Sequence, residues 1–60
     1  MNEKIKMVCI NQRLAIAGFK TQLDLAARED DGTIDKAERK ALKELTKAAE
    51  ALEKKLEKYI

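Results

Sequence analysis

Residues 42–59 read LKELTKAAEALEKKLEKY, and apolar side chains recur in this segment at alternating intervals of three and four positions. The stripe consists of Leu42, Leu45, Ala49, Leu52, Leu56 and Tyr59. This spacing puts all of them on one side of an α-helix, at the a and d positions of a seven-residue repeat typical of a coiled coil. The opposite side carries mainly lysine and glutamate. The segment therefore predicts an amphipathic helix over residues 35–59.

The first half of the chain carries a similar stripe and predicts a second helix over residues 3–27. Its members are Ile5, Cys9, Gln12, Ile16, Phe19, Leu23 and Ala26. The chain has no proline, and the one glycine of this half, Gly18, costs about 1 kcal/mol relative to alanine if it is helical. The short connection at residues 28–34 makes the two helices antiparallel neighbours.

These patterns predict an all-α protein, a two-helix antiparallel hairpin that forms a single domain over residues 1–60. The predicted hairpin core consists of Ile5, Cys9, Ile16, Phe19, Leu23, Leu42, Leu45, Ala49, Leu52 and Leu56. A domain of this length buries only about 60% of the surface of its unfolded chain, so its core is marginal. The single cysteine excludes an internal disulfide, so that oligomerisation or a partner is one of the few remaining sources of stability.

The first helix carries a second apolar stripe on a different side. It consists of Met7, Ile10, Leu14 and Ala17. At about 100° per residue these positions fall well away from the first stripe, and one neighbouring helix cannot cover both. We therefore predict that a second copy of the chain, or another protein, covers this stripe and completes a helical bundle.

Composition excludes several classes of function. The chain has 13 basic and 11 acidic residues, no histidine and one cysteine. A zinc site of the usual ligand types needs more His and Cys than one chain holds, and no Ser-His-Asp or Cys-His set can be assembled. We therefore do not expect an enzyme. The apolar run MVCI ends after four residues, so we predict no signal peptide. No stretch approaches the roughly 20 apolar residues of a membrane span, so we expect no membrane partner. A lone cysteine fits a cytoplasmic protein.

The connection between the helices reads REDDGTIDKAE over residues 28–38 and resembles the end of an EF-hand calcium loop. In that family glycine takes the sixth place, an apolar residue the eighth and glutamate the twelfth, which are Gly32, Ile34 and Glu38 here. The family's first ligand, normally aspartate, is Ala27. The resemblance implies calcium as a cofactor, with ligands from Glu29, Asp31, the carbonyl of Thr33, Asp35 through a water, and Glu38.

A turn followed by a helix cap explains the same residues without an ion. Asp35 is a favourable N-cap, and Glu38 three positions later completes a capping box. Gly32 supplies the positive φ that a tight turn needs. We favour this interpretation and predict no cofactor, and calcium binding by a single EF-hand-like module remains the alternative.

The function that we predict is that of a small non-enzymatic module that binds another protein or itself. A 60-residue chain that begins at Met1 fits a stand-alone bacterial or phage adaptor or inhibitor. A second alternative is an RNA-binding hairpin dimer, because Arg39, Lys40, Lys43 and Lys47 form a basic strip. We do not expect a nucleic-acid partner, since Glu44 interrupts the strip and the chain has one Phe and one Tyr to stack on bases.

Overall fold

In the computed structural model, which describes residues 2–29 and 32–60, the chain folds into two α-helices that lie side by side as a hairpin. Helix α1 comprises Glu3–Arg28 and helix α2 comprises Lys36–Glu57. The described residues contain no strand. The molecule is elongated, 47 × 15 × 10 Å, and is therefore a flat layer two helices wide and one helix thick. This architecture confirms the predicted all-α hairpin.

Both ends of α1 are stabilised by local hydrogen bonds. The Asn2 side chain accepts a hydrogen bond of 2.7 Å from the Lys4 backbone N–H, so that Asn2 is the N-cap. At the other end the helix includes Arg28, one residue beyond the predicted range, and Arg28 pairs with the Asp24 carboxylate at 3.0 Å. A positive charge in the last turn also suits the helix dipole.

Helix α2 is shorter than the predicted 35–59, because its two ends differ from regular helix. Asp35 has extended backbone angles and is the N-cap rather than the first helical residue. Beyond Glu57 the chain tightens, and the backbone N–H of Tyr59 donates to the Leu56 carbonyl, three residues back, at 3.0 Å. Such tighter turns commonly end an α-helix and satisfy its last carbonyls.

The buried core lies along one line between the helices. On α1 it consists of Cys9, Ile16 and Leu23, which are seven residues apart, and on α2 of Ala49, which is 5% exposed. Leu42 and Leu56 are half-buried on either side of Ala49 along α2. The other predicted core residues, Ile5, Phe19, Leu45 and Leu52, stay between 40% and 50% exposed. The hairpin alone therefore covers only part of its apolar stripe.

An ion pair also joins the helices across this line. The Lys20 ammonium lies 3.1 Å from the Glu53 carboxylate, and both side chains are partly buried. Because the two residues are 33 positions apart in sequence, the pair belongs to the tertiary structure. Because the two side chains are in contact, the side of α1 that carries Lys20 and the side of α2 that carries Glu53 form one side of the hairpin.

Candidate interaction surface

The Lys20–Glu53 pair divides the hairpin into two sides. At about 100° per residue, Lys20 lies about 40° to one side of the buried Ile16, and Phe19 lies about 60° to the other. Glu53 and Leu52 have the same relation to the buried Ala49 on α2. Since Lys20 and Glu53 contact each other, Phe19 and Leu52 share the opposite side of the hairpin.

We call this opposite side the open face. Its large side chains are Ile5, Phe19, Leu45, Leu52 and Tyr59, and each is between 40% and 50% exposed. Leu45, Leu52 and Tyr59 are seven residues apart on α2, and Ile5 and Phe19 on α1 are separated by twice that interval, with Gln12 midway between them. The open face is therefore a largely apolar surface to which both helices contribute.

The side of the hairpin that carries the ion pair is polar. Its α1 residues include Lys6, Arg13 and Lys20, and on α2 Thr46 and Glu53 line the same side of the core. The Thr46 hydroxyl donates to the Leu42 carbonyl at 2.9 Å, which satisfies it within its own helix. The two sides of the flat hairpin thus differ sharply in polarity. The apolar stripes in the sequence did not show which of their residues lie on which side.

The second predicted stripe lies on the edge of α1 that points away from α2. Met7 and Leu14 each precede a buried residue by two positions, which turns them about 160° from the core. They are 52% and 69% exposed. Ala17 is also exposed, and Ile10 is half-buried. We call this set, Met7, Ile10, Leu14 and Ala17, the α1 outer edge.

Two large apolar residues outside the predicted sites extend these surfaces. Leu25 is 46% exposed and continues the α1 outer edge, because it follows the buried Leu23 by two positions as Met7 precedes Cys9. Val8 is 58% exposed and lies beside the open face. Leu25 could have been found from its spacing of 11 residues, about three helical turns, from Leu14.

The outer edge of α2 is basic. Lys40, Lys47, Lys54 and Lys58 each lie two positions from a residue of the α2 stripe and point into solvent. Lys43 lies between this edge and the polar side and is also exposed. Lysines that alternate with glutamates on an exposed helix edge are typical of a solvated surface.

The turn residues form the predicted helix cap. The Glu38 backbone N–H donates to the Asp35 carboxylate at 2.8 Å, and the Asp35 backbone N–H donates to the Glu38 carboxylate at 3.2 Å. Gly32 has a φ of +93°, the positive value predicted for the turn. Both features are confirmed, and each carboxylate uses one of its oxygens in the cap.

The residues that the calcium resemblance implies are distributed over three parts of the hairpin. Glu29 is the C-cap of α1, and its backbone N–H donates to the Leu25 carbonyl at 2.9 Å. Thr33 lies in the connection, Asp35 and Glu38 begin α2, and Asp31 lies outside the described residues. Over residues 2–29 and 32–60 the structure brings no three Asp, Glu, Cys or His side chains together as metal ligands.

The only thiol of the chain, that of Cys9, is buried against α2 at 7% exposure. A buried cysteine of this kind packs as a small apolar side chain. In the described part of the chain neither helix combines the length and the apolar character that are needed to cross a bilayer.

Over residues 2–29 and 32–60 the surfaces that could support a function include the open face, the α1 outer edge, the basic edge of α2 and the capped turn. No protein-family model matches the sequence, and no curated protein and no solved structure matches it at a significant level.

Proposed function

We propose that this chain is a non-enzymatic helical module that works by binding, with its exposed apolar surface covered by a second copy of the chain or by another protein. The exposure of the α1 side chains carries the proposal. Helix α1 has large apolar side chains on its outer edge and toward the open face as well, yet α2 covers only the side that contains Cys9, Ile16 and Leu23. A helix apolar on several sides is stable in water when its other sides are covered as well.

The exposed side chains are large and contiguous rather than scattered. Fully burying one leucine, isoleucine or phenylalanine side chain stabilises a protein by about 1.5–3 kcal/mol. Leu14 is 69% exposed, and Met7, seven residues earlier on the same edge of the helix, is 52% exposed. In the isolated hairpin both side chains therefore leave at least half of that free energy unused. Contiguous apolar patches of this kind mark interaction sites in soluble proteins.

The α1 outer edge is the proposed contact with a partner. Met7, Ile10 and Leu14 follow each other at spacings of three and four, and Ala17 leaves room for a partner helix to approach closely. A Cβ added at Gly18, on the same edge, would meet no other atom within 4 Å. An amphipathic helix or a shallow apolar groove would fit such an edge.

The test compares Leu14→Asp with Lys43→Asp. Both introduce an aspartate on an exposed helical surface, but only Leu14 belongs to the proposed contact. We expect Leu14→Asp to weaken assembly through the α1 outer edge, with a copy or with another protein, by at least tenfold, since an unpaired charge would enter an apolar interface. We expect Lys43→Asp to leave this assembly nearly unchanged. Light scattering coupled to size-exclusion chromatography, together with helicity by circular dichroism, measures both effects.

A wild-type chain that remains a helical monomer of 6.8 kDa and binds no protein at any concentration contradicts the proposal. The proposal is also contradicted if the partner's affinity is the same for Leu14→Asp and for the wild type. Equal helicity of the two variants in dilute solution separates loss of binding from loss of folding.

A further inference from the structure

The seven-residue repeat of this hairpin is buried unequally. In an isolated two-stranded coiled coil the a and d positions both face the partner helix. Here one of the two positions on α1, represented by Cys9, Ile16 and Leu23, is buried, while the other, represented by Ile5 and Phe19, stays half exposed. On α2, Ala49 is buried, and Leu52, three positions later, is 48% exposed.

Unequal burial of this kind is the geometry of one half of a four-helix bundle. In a bundle one position of each repeat contacts the neighbouring helix of the same hairpin, and the other faces the second hairpin across the core. The half-exposed positions of both helices lie on one side of this hairpin, opposite the Lys20–Glu53 pair. We infer that a second copy of this chain packs on the open face and that two hairpins form a four-helix bundle.

This inference rests on the proposed function, because it names the occupant of one part of the apolar surface. The chemistry of the open face suits a copy of itself. A two-fold axis brings the face against the same face of the partner, so the face must be complementary to itself, and a largely uncharged face meets this condition without any pairing of charges. The large side chains of the face are all uncharged, and Gln12 is the polar residue between Ile5 and Phe19.

The spacing of the exposed side chains and the size of their exposed area are both consistent with a second copy of the chain on the open face. Both helices repeat their exposed residues at seven-residue intervals, so that the layers of one hairpin fit between those of a copy. The five side chains of the face are each 40–50% exposed, and at the roughly 150–250 Å² of an aromatic side chain they leave at most about 350–550 Å² on every hairpin, to which Val8 and the neighbouring alanines add. Two such faces bury roughly 700–1,100 Å², which is at the low end for a specific interface, so we expect a weak dimer that forms at high concentration.

The remaining surfaces stay in solvent in this arrangement. The polar side with Lys20 and Glu53 points outward, and so does the lysine edge of α2. The α1 outer edge, with Met7 and Leu14, is turned about 160° from the core and stays accessible to another protein. Dimerisation and binding through the outer edge thus use different residues and can be separated by mutation.

The experiment measures the mass and the dissociation constant of wild type, Leu52→Lys and Ala51→Lys by sedimentation equilibrium. Ala51 directly precedes Leu52 and points about 160° away from the buried Ala49, so Ala51→Lys adds the same side chain on the solvent side of the same helix. We expect the wild type and Ala51→Lys to have twice the mass of the 6.8 kDa chain at high concentration and to dissociate with similar constants. We expect Leu52→Lys to raise the dissociation constant at least a hundredfold.

A second variant does not depend on weakening the fold. Gln12→Leu replaces the polar residue of the open face by one that matches its neighbours, and we expect it to lower the dissociation constant at least tenfold. Circular dichroism of all variants at matched concentrations reports whether each one remains helical. If Leu52→Lys loses its helicity, the outcome with Gln12→Leu decides.

Three results would overturn the inference. One is a wild-type monomer at millimolar concentration. Another is an oligomer that survives Leu52→Lys but is lost in Leu14→Asp, which would place self-association at the outer edge and leave the proposed function standing. The third is a monomer that binds phosphatidylcholine–phosphatidylglycerol vesicles and loses this binding in Leu52→Lys, which would make the open face a lipid-binding surface.

Discussion

Asp35 and Glu38 cap α2 reciprocally, each carboxylate accepting a hydrogen bond from the backbone N–H of the other residue, at 2.8 Å to Asp35 and 3.2 Å to Glu38. The first N–H groups of a helix have no partner within the helix, so these two bonds satisfy donors that only water would otherwise meet. The acidic side chains also lie at the positive end of the helix dipole.

We expect Asp35→Ala to lower the free energy of unfolding by about 0.5–2 kcal/mol, because alanine offers no acceptor to the Glu38 N–H. Asp35→Asn is the matched control and should retain most of the stability, since asparagine caps helices about as well as aspartate. Thermal melts in calcium and in chelator measure both variants. A penalty for Asp35→Ala that appears only when calcium is present would favour the calcium interpretation of the turn over the cap.

Gly18 and Gly32 should respond to alanine in opposite directions. Gly18 is inside α1, and a Cβ there meets nothing within 4 Å, so Gly18→Ala should stabilise the isolated hairpin by up to about 1 kcal/mol. Gly32 has a φ of +93°, and Gly32→Ala should destabilise the hairpin by about 1 kcal/mol because a Cβ is strained there. Urea melts of the two variants provide the comparison, and a loss of stability in Gly18→Ala would indicate a partner packed on the α1 outer edge.

A double-mutant cycle measures the contribution of the ion pair between the helices. Lys20→Met and Glu53→Gln each remove one charge while keeping most of the side-chain volume. Because both side chains are only partly buried, we expect a coupling free energy of about 0.5–1 kcal/mol that decreases as salt is added. A coupling of zero at low salt would mean that the contact at 3.1 Å does not persist in solution.

Ala49 is the most buried residue of α2 and lies on the line of contact with α1. We expect Ala49→Leu to destabilise the hairpin by about 1–3 kcal/mol, because three extra carbon atoms have no room at the contact line. Ala51→Leu, on the solvent side of the same helix, is the control and should change stability by less than about 0.5 kcal/mol. Equal effects of the two substitutions would contradict the close approach of the helices at Ala49.

The sequence was sufficient to predict the two helices, the hairpin and the cap, because each depends on local signals. The spacing of Leu42 to Tyr59 identifies a helix, and Asp35 with Glu38 marks where it begins. The described structure agrees with these predictions, apart from one or two residues at the helix ends. Terminal residues depend on single hydrogen bonds, such as that from Tyr59 to Leu56, which spacing does not reveal.

The rotation of each helix about its own axis was not predictable in the same way. The sequence groups Cys9 with Ile5 and Phe19 in one stripe, but it does not say which of them points directly at α2. That choice depends on how closely the helices approach at Ala49 and on the contact between Lys20 and Glu53, residues far apart in the chain. The open face follows from this rotation and could be recognised only in three dimensions.

The burial of Cys9 makes its thiol a built-in probe of how often the hairpin opens. As the chain's only thiol, held at 7% exposure against α2, it reacts with an aromatic disulfide reagent only in the fraction of time that the helices spend apart. The ratio of its labelling rate to that of an unfolded peptide therefore reports the equilibrium between closed and open states, without any mutation or added probe. If hairpins associate, mass action must slow this labelling as the protein is concentrated, so one native sulfur atom records folding and assembly in the same measurement.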